Sequence, residues 1–210
     1  MSSTPSHKQK QEKIDEKVLV VKKEEIFQGA SIAGFKPMKN FVPFQNIIDL
    51  NKKFLWRSSM EGNSNYKQII PYLVFRYRDK LFLMQRTSYA SEQRLKNKYS
   101  LGIGGHIREE DMLSHDIIGW ANREFNEEVI YKGNVMTKPL GIINDESSLV
   151  GRVHVGFVFL LTGDSDKIQV RAELKSGNLC TIDECQERYS NMELWSQLAF
   201  DFLKNNVMDT

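Results

Sequence analysis

The stretch GGHIREEDMLSHDIIGWANREFNEEV, residues 104–129, combines a glycine pair, a helical pattern and a cluster of acidic side chains. Apolar residues recur every four positions in its second half and predict one buried helix face: Ile117, Ala121, Phe125 and Val129, with Ile118 beside them. We therefore predict a helix over residues 112–130. Three glutamates on this helix are three and four residues apart, so their carboxylates converge on one side: Glu124, Glu127 and Glu128.

The converging carboxylates have two interpretations, because like charges at these spacings destabilise an isolated helix. One is a solvated helix face whose charge is offset by Arg123 and Lys132. The other is a site for a hard cation, since carboxylate oxygens are the ligands that Mg²⁺ and Mn²⁺ prefer. The glycine pair Gly104 and Gly105 favours the second, because a chain without side chains lets backbone atoms approach a metal or a phosphate.

This combination of residues resembles the Nudix box, whose pattern is G-x5-E-x7-R-E-U-x-E-E-x-G-U, with U an apolar residue. The second half of the pattern is intact as REFNEE, residues 123–128. The chain therefore resembles a Nudix hydrolase of the MutT type. The sequence before and through the glycines is similar to a bacterial branch of that superfamily known only as predicted phosphoesterases. This stretch is QRTSYASEQRLKNKYSLGIGGHI, residues 85–107.

The box departs from the pattern at three points. The arginine should follow Gly105 by 14 residues, but Arg123 follows it by 18, so four residues are inserted. The first acidic position, six residues after Gly105, is Asp111, and counting back from Arg123 gives His115 instead. Ile130 replaces the closing glycine. We expect the intact half to bind metal and the catalytic geometry around it to be altered.

The resemblance implies an α/β/α sandwich with a mixed β-sheet, and a reaction in which a metal-activated water attacks one phosphorus of a diphosphate. It implies that Mg²⁺ or Mn²⁺ is held by four groups: Glu124, Glu127, Glu128 and the carbonyl of Gly104. Arg123 is then expected to hold a carboxylate in place. The general base is left open between Glu124 and a loop carboxylate, for which Glu146 and Glu173 are the candidates.

Basic residues before the glycines predict contacts to substrate phosphates. We expect Arg86 and Arg94 to bind phosphate oxygens, because the planar guanidinium group suits them, and His106 to reach the substrate from the glycine loop. Solvated surface charge is the alternative for each arginine. His154, in an apolar strand, and Trp195 are interpreted as packing residues.

The rest of the chain predicts how the domain is organised. We interpret residues 1–17 as a flexible tail, 18–65 as an extension packed on the main domain, and 66–210 as the domain itself. The runs QIIPYLVFRY and KLFLMQRT predict a β-hairpin, GRVHVGFVFLLTG predicts a strand buried on both faces, and one or two helices close the chain. Strands followed by a helix, more strands and a terminal helix indicate a layered α/β fold.

Composition excludes several classes of protein. Lys and Arg total 29 against 27 Asp and Glu, and a net charge of +2 argues against a protein that coats nucleic acid. The only cysteines, Cys180 and Cys185, cannot form a secreted disulfide scaffold. The longest apolar run is too short to span a bilayer, and the amino terminus does not resemble a signal peptide. We expect a soluble, cytoplasmic protein with reduced cysteines and no membrane partner. We expect it to act on a nucleoside diphosphate derivative. Residues 18–65 could help to form a homodimer.

Two other functions remain as alternatives. The altered first half of the box leaves open a Nudix-like domain with weak or no turnover that senses a ligand. Isomerisation of a prenyl diphosphate on the same fold ranks last, because it would require a reactive cysteine near the glycine loop and both cysteines lie far downstream.

Overall fold

The computed structural model describes residues 15–30, 32–86, 97–113, 116–171 and 174–206. Its strands are β1 Lys17–Lys22, β2 Gly34–Pro37, β3 Lys53–Trp56, β4 Tyr66–Tyr77, β5 Lys80–Arg86, β6 Tyr99–Ser100, β7 Gly102–Gly104, β8 Val129–Tyr131, β9 Val135–Asn144, β10 His154–Gly163, β11 Ile168–Val170 and β12 Leu174–Cys180. Its helices are α1 Lys23–Phe27, α2 Val42–Asn51, α3 Arg57–Met60, α4 Ile117–Glu128, α5 Ile182–Glu187 and α6 Leu194–Asn206.

A mixed sheet forms the centre of the molecule. In the described part of the chain its main order is β12-β5-β4-β10-β9-β2, with four shorter strands, β1, β3, β6 and β7, attached beside this path. Strands β4 and β10 run parallel from the pair Gln68 and His154 to the pair Arg76 and Thr162, and β9 runs antiparallel to β10. The predicted hairpin is β4 and β5, joined through Arg78, whose φ of 53° gives the turn its left-handed residue.

Helices cover both faces of this sheet, as the sandwich prediction requires. Side chains of α4 pack on one face with those of β4, including Trp120, Ala121, Phe125, Ile69, Leu73 and Phe75. Side chains of α6 pack on the other face, including Ala199, Phe200, Leu203, Tyr72 and Val158. Strand β10 is buried along almost its whole length because it lies between these two layers. The predicted α/β/α fold with a mixed sheet is confirmed.

Helix α4 is shorter than the predicted span of residues 112–130. Its cap is Asp116, whose side chain accepts a hydrogen bond from the backbone amide of Gly119 at 2.7 Å, and a separate 3₁₀ turn occupies Glu109–Leu113. At its other end the chain turns directly into β8. The expected apolar face is buried, but Ile118 is 42% exposed because it points around the helix from that face.

The segment before the predicted domain boundary shares the sheet of the domain. Strand β1 pairs antiparallel with both β3 and β4, and β2 pairs antiparallel with β9. The side chains of Leu19 and Ile48 are fully buried in the same apolar cluster as α4. The extension is therefore hydrogen-bonded into the domain as well as packed on it; residues 1–14 of the expected tail lie outside the described residues. No helix in the described ranges is long and apolar enough to cross a membrane.

If residues 17–65 are an integral part of the domain, Leu19→Ala will lower the free energy of unfolding of the whole protein by about 2–5 kcal/mol, the usual cost of a buried Leu→Ala change. Urea denaturation should still show one transition. Leu50→Ala is the control, because Leu50 is 85% exposed on α2, and we expect almost no change. A separate early transition in Leu19→Ala, with the main one unmoved, would contradict this prediction.

Candidate active site

Arg123 is the centre of a charge network at the start of the last two turns of α4. Its guanidinium group donates to Glu127 Oε2 at 2.6 Å, to Glu124 Oε2 at 3.3 Å and to the backbone carbonyl of His106 at 3.2 Å. It also lies 3.2 Å from Asp111 Oδ2. The arginine therefore fixes two helix carboxylates relative to the chain that follows the glycine pair.

Asp111 is a site residue whose role the sequence analysis left undecided. Its carboxylate is almost fully buried and is bound by Arg123 and by Arg108, whose backbone amide and guanidinium group both donate to it at 2.8–3.2 Å. Asp111 follows Gly105 by six residues, so the signal for it was the spacing of the box. The four inserted residues consequently lie between Asp111 and Arg123, and His115 is outside the described residues.

Glu124 is a buried carboxylate packed against backbone. Only 6% of the residue is exposed, and a Cβ atom on Gly105 would overlap its carboxylate, so the close approach requires glycine at 105. Burial raises the pKa of Glu124 to about 7; Arg123 acts in the opposite direction, and Glu128 and Glu127 raise the pKa further. Burial is thus the main cause of the raised pKa, and the neighbouring carboxylates Glu128 and Glu127 add to it.

A cleft opens beside the glycine pair. Gly104 and Gly105 line it with His106, and its other walls come from β4, the loop after β9, and the start of α6. Because Gly105 both contacts Glu124 and lines the cleft, the buried carboxylate lies next to the cleft wall. The predicted backbone ligand Gly104 and the predicted substrate-binding His106 thus line one cleft, and of the three helix carboxylates Glu124 contacts a residue of that lining, Gly105.

Two histidines meet in this cleft. His106 Nε2 lies 3.1 Å from His154 Nε2, and His154 Nδ1 lies 2.8 Å from the carbonyl oxygen of Val150. That carbonyl can only accept, so His154 Nδ1 carries a proton and, in the neutral ring, its Nε2 accepts from His106. His154 is buried, as expected for a strand residue, but it lines the cleft and orients His106, which the packing interpretation missed.

Glu146 lies outside this cleft lining, in an ion-pair network of its own. Its carboxylate is 2.8 Å from Lys67 Nζ and accepts from Lys23 Nζ at 2.9 Å, and the fully buried Lys67 also donates to the carbonyl of Gly151 at 2.9 Å. Burial would raise the pKa of Glu146, but the hydrogen bonds from Lys67 and Lys23 outweigh it and hold the pKa below its usual value. The adjacent Asp145, rather than Glu146, lines the cleft.

Three further candidates cannot be placed in the site. Arg94 and Glu173 lie outside the described residues, and for Arg86 only the backbone is described, at the end of β5 where it pairs with Leu174 of β12. The predicted phosphate contacts of Arg86 and Arg94, and Glu173 as a candidate general base, therefore stay predictions.

The donor set suits a hard divalent cation in its chemistry, although the side chains are not gathered around one point. Glu124, Glu127 and Glu128 are oxygen donors on one helix end, and their mutual repulsion is the electrostatic condition that a cation relieves. Among the described residues, however, no group of three or more acidic, histidine or cysteine side chains is arranged as a metal site. The Glu127 carboxylate is half exposed and is held by Arg123 through Oε2.

Comparison with known proteins identifies the family. No protein-family model matches the chain. Protein YmaB of Bacillus subtilis (strain 168) is 30% identical over 207 residues, which are 91% of this chain and 99% of YmaB. The crystal structure of Tm1382, described as a candidate Nudix hydrolase, is 32% identical and superimposes with a TM-score of 0.74 over 90% of this chain and 99% of that one. The chain belongs to the Nudix hydrolase superfamily.

More distant structures share the Nudix fold. The Nudix domain of Shewanella oneidensis NrtR, solved in complex with ADP ribose, has a TM-score of 0.54 and 12% identity over 67% of this chain and 88% of that domain. The predicted superfamily is confirmed, and with it an enzyme class that hydrolyses pyrophosphate linkages and generally uses divalent metal ions. In this Nudix chain, Gly105, Asp111 and Arg123 come together despite the four-residue insertion.

The raised pKa of Glu124 predicts how the stability of the metal-free protein depends on pH. The unfolded chain loses this proton near pH 4.5 and the folded chain near pH 7, so stability falls as the pH rises between these values, and the cost persists above pH 7. Glu124→Gln removes this ionisation. We expect it to raise the free energy of unfolding by up to about 3 kcal/mol at pH 8 and to change it little at pH 4.5.

Urea denaturation with chelator at both pH values measures this difference. The control is Glu61→Gln, which removes an exposed carboxylate at the end of α3 and should behave alike at the two pH values. An effect of Glu124→Gln that is the same at pH 4.5 and pH 8 would show that the pKa is not raised.

Proposed function

We propose that this chain is a divalent-metal-dependent hydrolase that cleaves the diphosphate linkage of a nucleoside diphosphate derivative by attack of water on phosphorus. One observation carries the proposal. Asp111 binds Arg123, Arg123 contacts the buried Glu124, and Glu124 lies against Gly105, which lines a cleft. The catalytic end of the Nudix helix and a cleft that can admit a ligand are thus adjacent.

Each residue of the candidate site has a separate role in this proposal. The carboxylates of Glu124, Glu127 and Glu128 and the carbonyl of Gly104 would hold Mg²⁺ or Mn²⁺. When bound, such an ion neutralises the diphosphate and lowers the pKa of the attacking water. Arg123 keeps the helix carboxylates in position, and His106 faces the substrate from the glycine loop.

Glu124 is the better candidate for the general base. Its carboxylate lies against Gly105, a residue of the cleft wall, so a base at this position would adjoin the space that admits the substrate. Glu146 is held by two lysines that lower its affinity for a proton, and it is not part of the described cleft lining.

The first experiment is a phosphate-release screen over nucleoside diphosphate derivatives, with Mg²⁺, with Mn²⁺ and with chelator. ADP ribose belongs in the panel because the Nudix domain of NrtR was solved with it. Each compound is run with and without added phosphatase, which separates phosphate released directly from phosphate freed from a monoester product. Metal-dependent turnover of one compound class supports the proposal. Binding of nucleotides by calorimetry without turnover would favour a sensing domain instead.

Glu127→Gln tests the metal role of the helix carboxylates. We expect Mg²⁺-dependent turnover to fall at least about 100-fold, while the thermal midpoint of the metal-free protein stays nearly unchanged, because the Glu127 side chain is 51% exposed and its ion pair contributes little. Steady-state kinetics and thermal denaturation with chelator provide the two measurements.

Glu61→Gln is a matched control for this variant. It removes the carboxylate of another arginine pair at the same four-residue spacing, Arg57 with Glu61, at 3.1 Å and far from the Nudix helix in sequence. It should keep full activity. A large loss of apo stability in Glu127→Gln with activity retained would assign Glu127 a structural role.

A further inference from the structure

The loop between β9 and β10 forms one side of the cleft. We call residues 145–151 the cleft loop, because Asp145, Ser148, Val150 and Gly151 all line the cleft. The loop folds back on itself so closely that a Cβ atom at 151 would overlap the backbone oxygen of Asp145, and this requires glycine there. A glycine restrains the peptide groups on either side of it less than any other residue does. A contact from outside the loop is therefore needed to fix their direction.

Lys67 supplies that contact at both ends of the cleft loop. Its ammonium group donates to the carbonyl oxygen of Gly151 at 2.9 Å and lies 2.8 Å from Glu146 Oε1. The side chain is fully buried on β4, with Nζ 5.9 Å from the centre of the Phe27 ring. Buried ion pairs are often no more stabilising than apolar residues of similar volume. What the lysine adds to an apolar side chain is direction, because one ammonium group binds the start and the end of the loop at once.

The amino-terminal extension completes this clamp. Lys23, the first residue of α1, donates to Glu146 Oε2 at 2.9 Å, so the Glu146 carboxylate is held between two lysines. Asn144, the last residue of β9, donates to the carbonyl oxygen of Ile32 at 2.7 Å. The extension thus binds the cleft loop at its first residues, and the lysine of β4 binds it at both ends.

The clamp reaches the two histidines of the cleft through one carbonyl group. The carbonyl oxygen of Val150 accepts from His154 Nδ1, and the peptide group that carries it adjoins Gly151, whose own carbonyl Lys67 holds. His154 Nε2 lies 3.1 Å from His106 Nε2. Without the Val150 carbonyl, His154 could carry its proton on either ring nitrogen, and His106 would lose a fixed acceptor. The direction of this loop carbonyl therefore sets the hydrogen bond that orients His106.

We propose that Lys67 is a positioning residue: it holds the cleft loop, and through the loop the pair His154 and His106, in one arrangement. Lys23 of the extension supports it through Glu146. The expected effect on turnover rests on the proposed function, whereas the effect on His154 is independent of it. The proposal gives the amino-terminal extension a part in the candidate site, because α1 contributes to the contacts that fix one side of the cleft.

Long-range ¹H–¹⁵N NMR spectra of the histidine rings test the clamp without a substrate. At about pH 8.5, above the ordinary histidine pKa of about 6.5, the unmutated protein should show His154 as the tautomer protonated on Nδ1. The His154 signals are assigned by their absence from His154→Asn. Lys67→Met keeps an unbranched side chain and removes the ammonium group, so His154 should become a mixture of tautomers. Urea denaturation should still show one transition with a similar midpoint, which separates loss of position from loss of folding.

Lys22→Met and Lys23→Met are a matched pair of variants for the part of the extension. The two neighbouring lysines are similarly exposed, and each pairs with a glutamate: Lys22 with Glu24 of α1, and Lys23 with Glu146 of the cleft loop. Lys23→Met should change the His154 signals in the same direction as Lys67→Met, though less, and Lys22→Met should not change them. Lys23 is partly exposed, so this comparison decides the proposal if Lys67→Met fails to fold.

Steady-state kinetics with a substrate from the phosphate-release screen give a second readout. Lys67→Met should lower kcat/KM about tenfold or more, mainly through KM, because the loop lines the cleft but holds none of the proposed metal ligands. An unchanged His154 tautomer in folded Lys67→Met overturns the clamp, and an altered tautomer with unchanged KM overturns its role in substrate binding. A screen without turnover overturns the proposed function alone, since the spectra still decide whether Lys67 positions the loop.

Discussion

Arg123 must satisfy three carboxylates and a backbone carbonyl with one guanidinium group, and the geometry of the candidate site follows from that requirement. Its partners come from α4, from the 3₁₀ turn and from the glycine loop. The fixed plane of the guanidinium group restricts where these elements can lie if it is to reach all of them. A lysine would carry the charge without this directional constraint, so the arginine sets the position of the helix end relative to the cleft.

The central sheet connects the two parts of the candidate site. Helix α4, which carries the glutamates, packs on one face of the sheet, and α6, whose start lines the cleft, packs on the other. The glycine loop continues from β7, which pairs with β4, and so emerges between the Nudix helix and the cleft. Two close contacts require glycine in this segment. A Cβ atom at 105 would overlap the Glu124 carboxylate, and a Cβ atom at 102 would overlap the Tyr72 ring. At these two glycines the same short segment of backbone approaches a side chain of α4 and a side chain of β4.

The sequence predicted those features of the fold and of the site that depend on residues close together in the chain. The hairpin, the buried strand β10, the apolar face of α4 and the intact half of the box are all read from residues a few positions apart. Helix α4 begins later than its periodicity predicted because Asp116 caps it. The Asp116 side chain accepts a hydrogen bond from the backbone amide of Gly119, so the helix begins at Ile117. His154 was assigned to packing alone because its partner His106 is 48 residues distant. Trp195 packs against the apolar cluster of α6, as its assignment to packing predicted.

The departures from the Nudix pattern also have a structural explanation. The insertion falls after Asp111, beyond the last residue that must contact Arg123, so it lengthens the connection to α4 without displacing the ion pair. Ile130, in place of the closing glycine, belongs to β8 and pairs with Gln169 of β11, so the chain leaves the helix as a strand and needs no glycine turn. Changes at these two places alter what surrounds the carboxylates. They leave the contacts of Arg123 with Asp111, Glu124 and Glu127 in place.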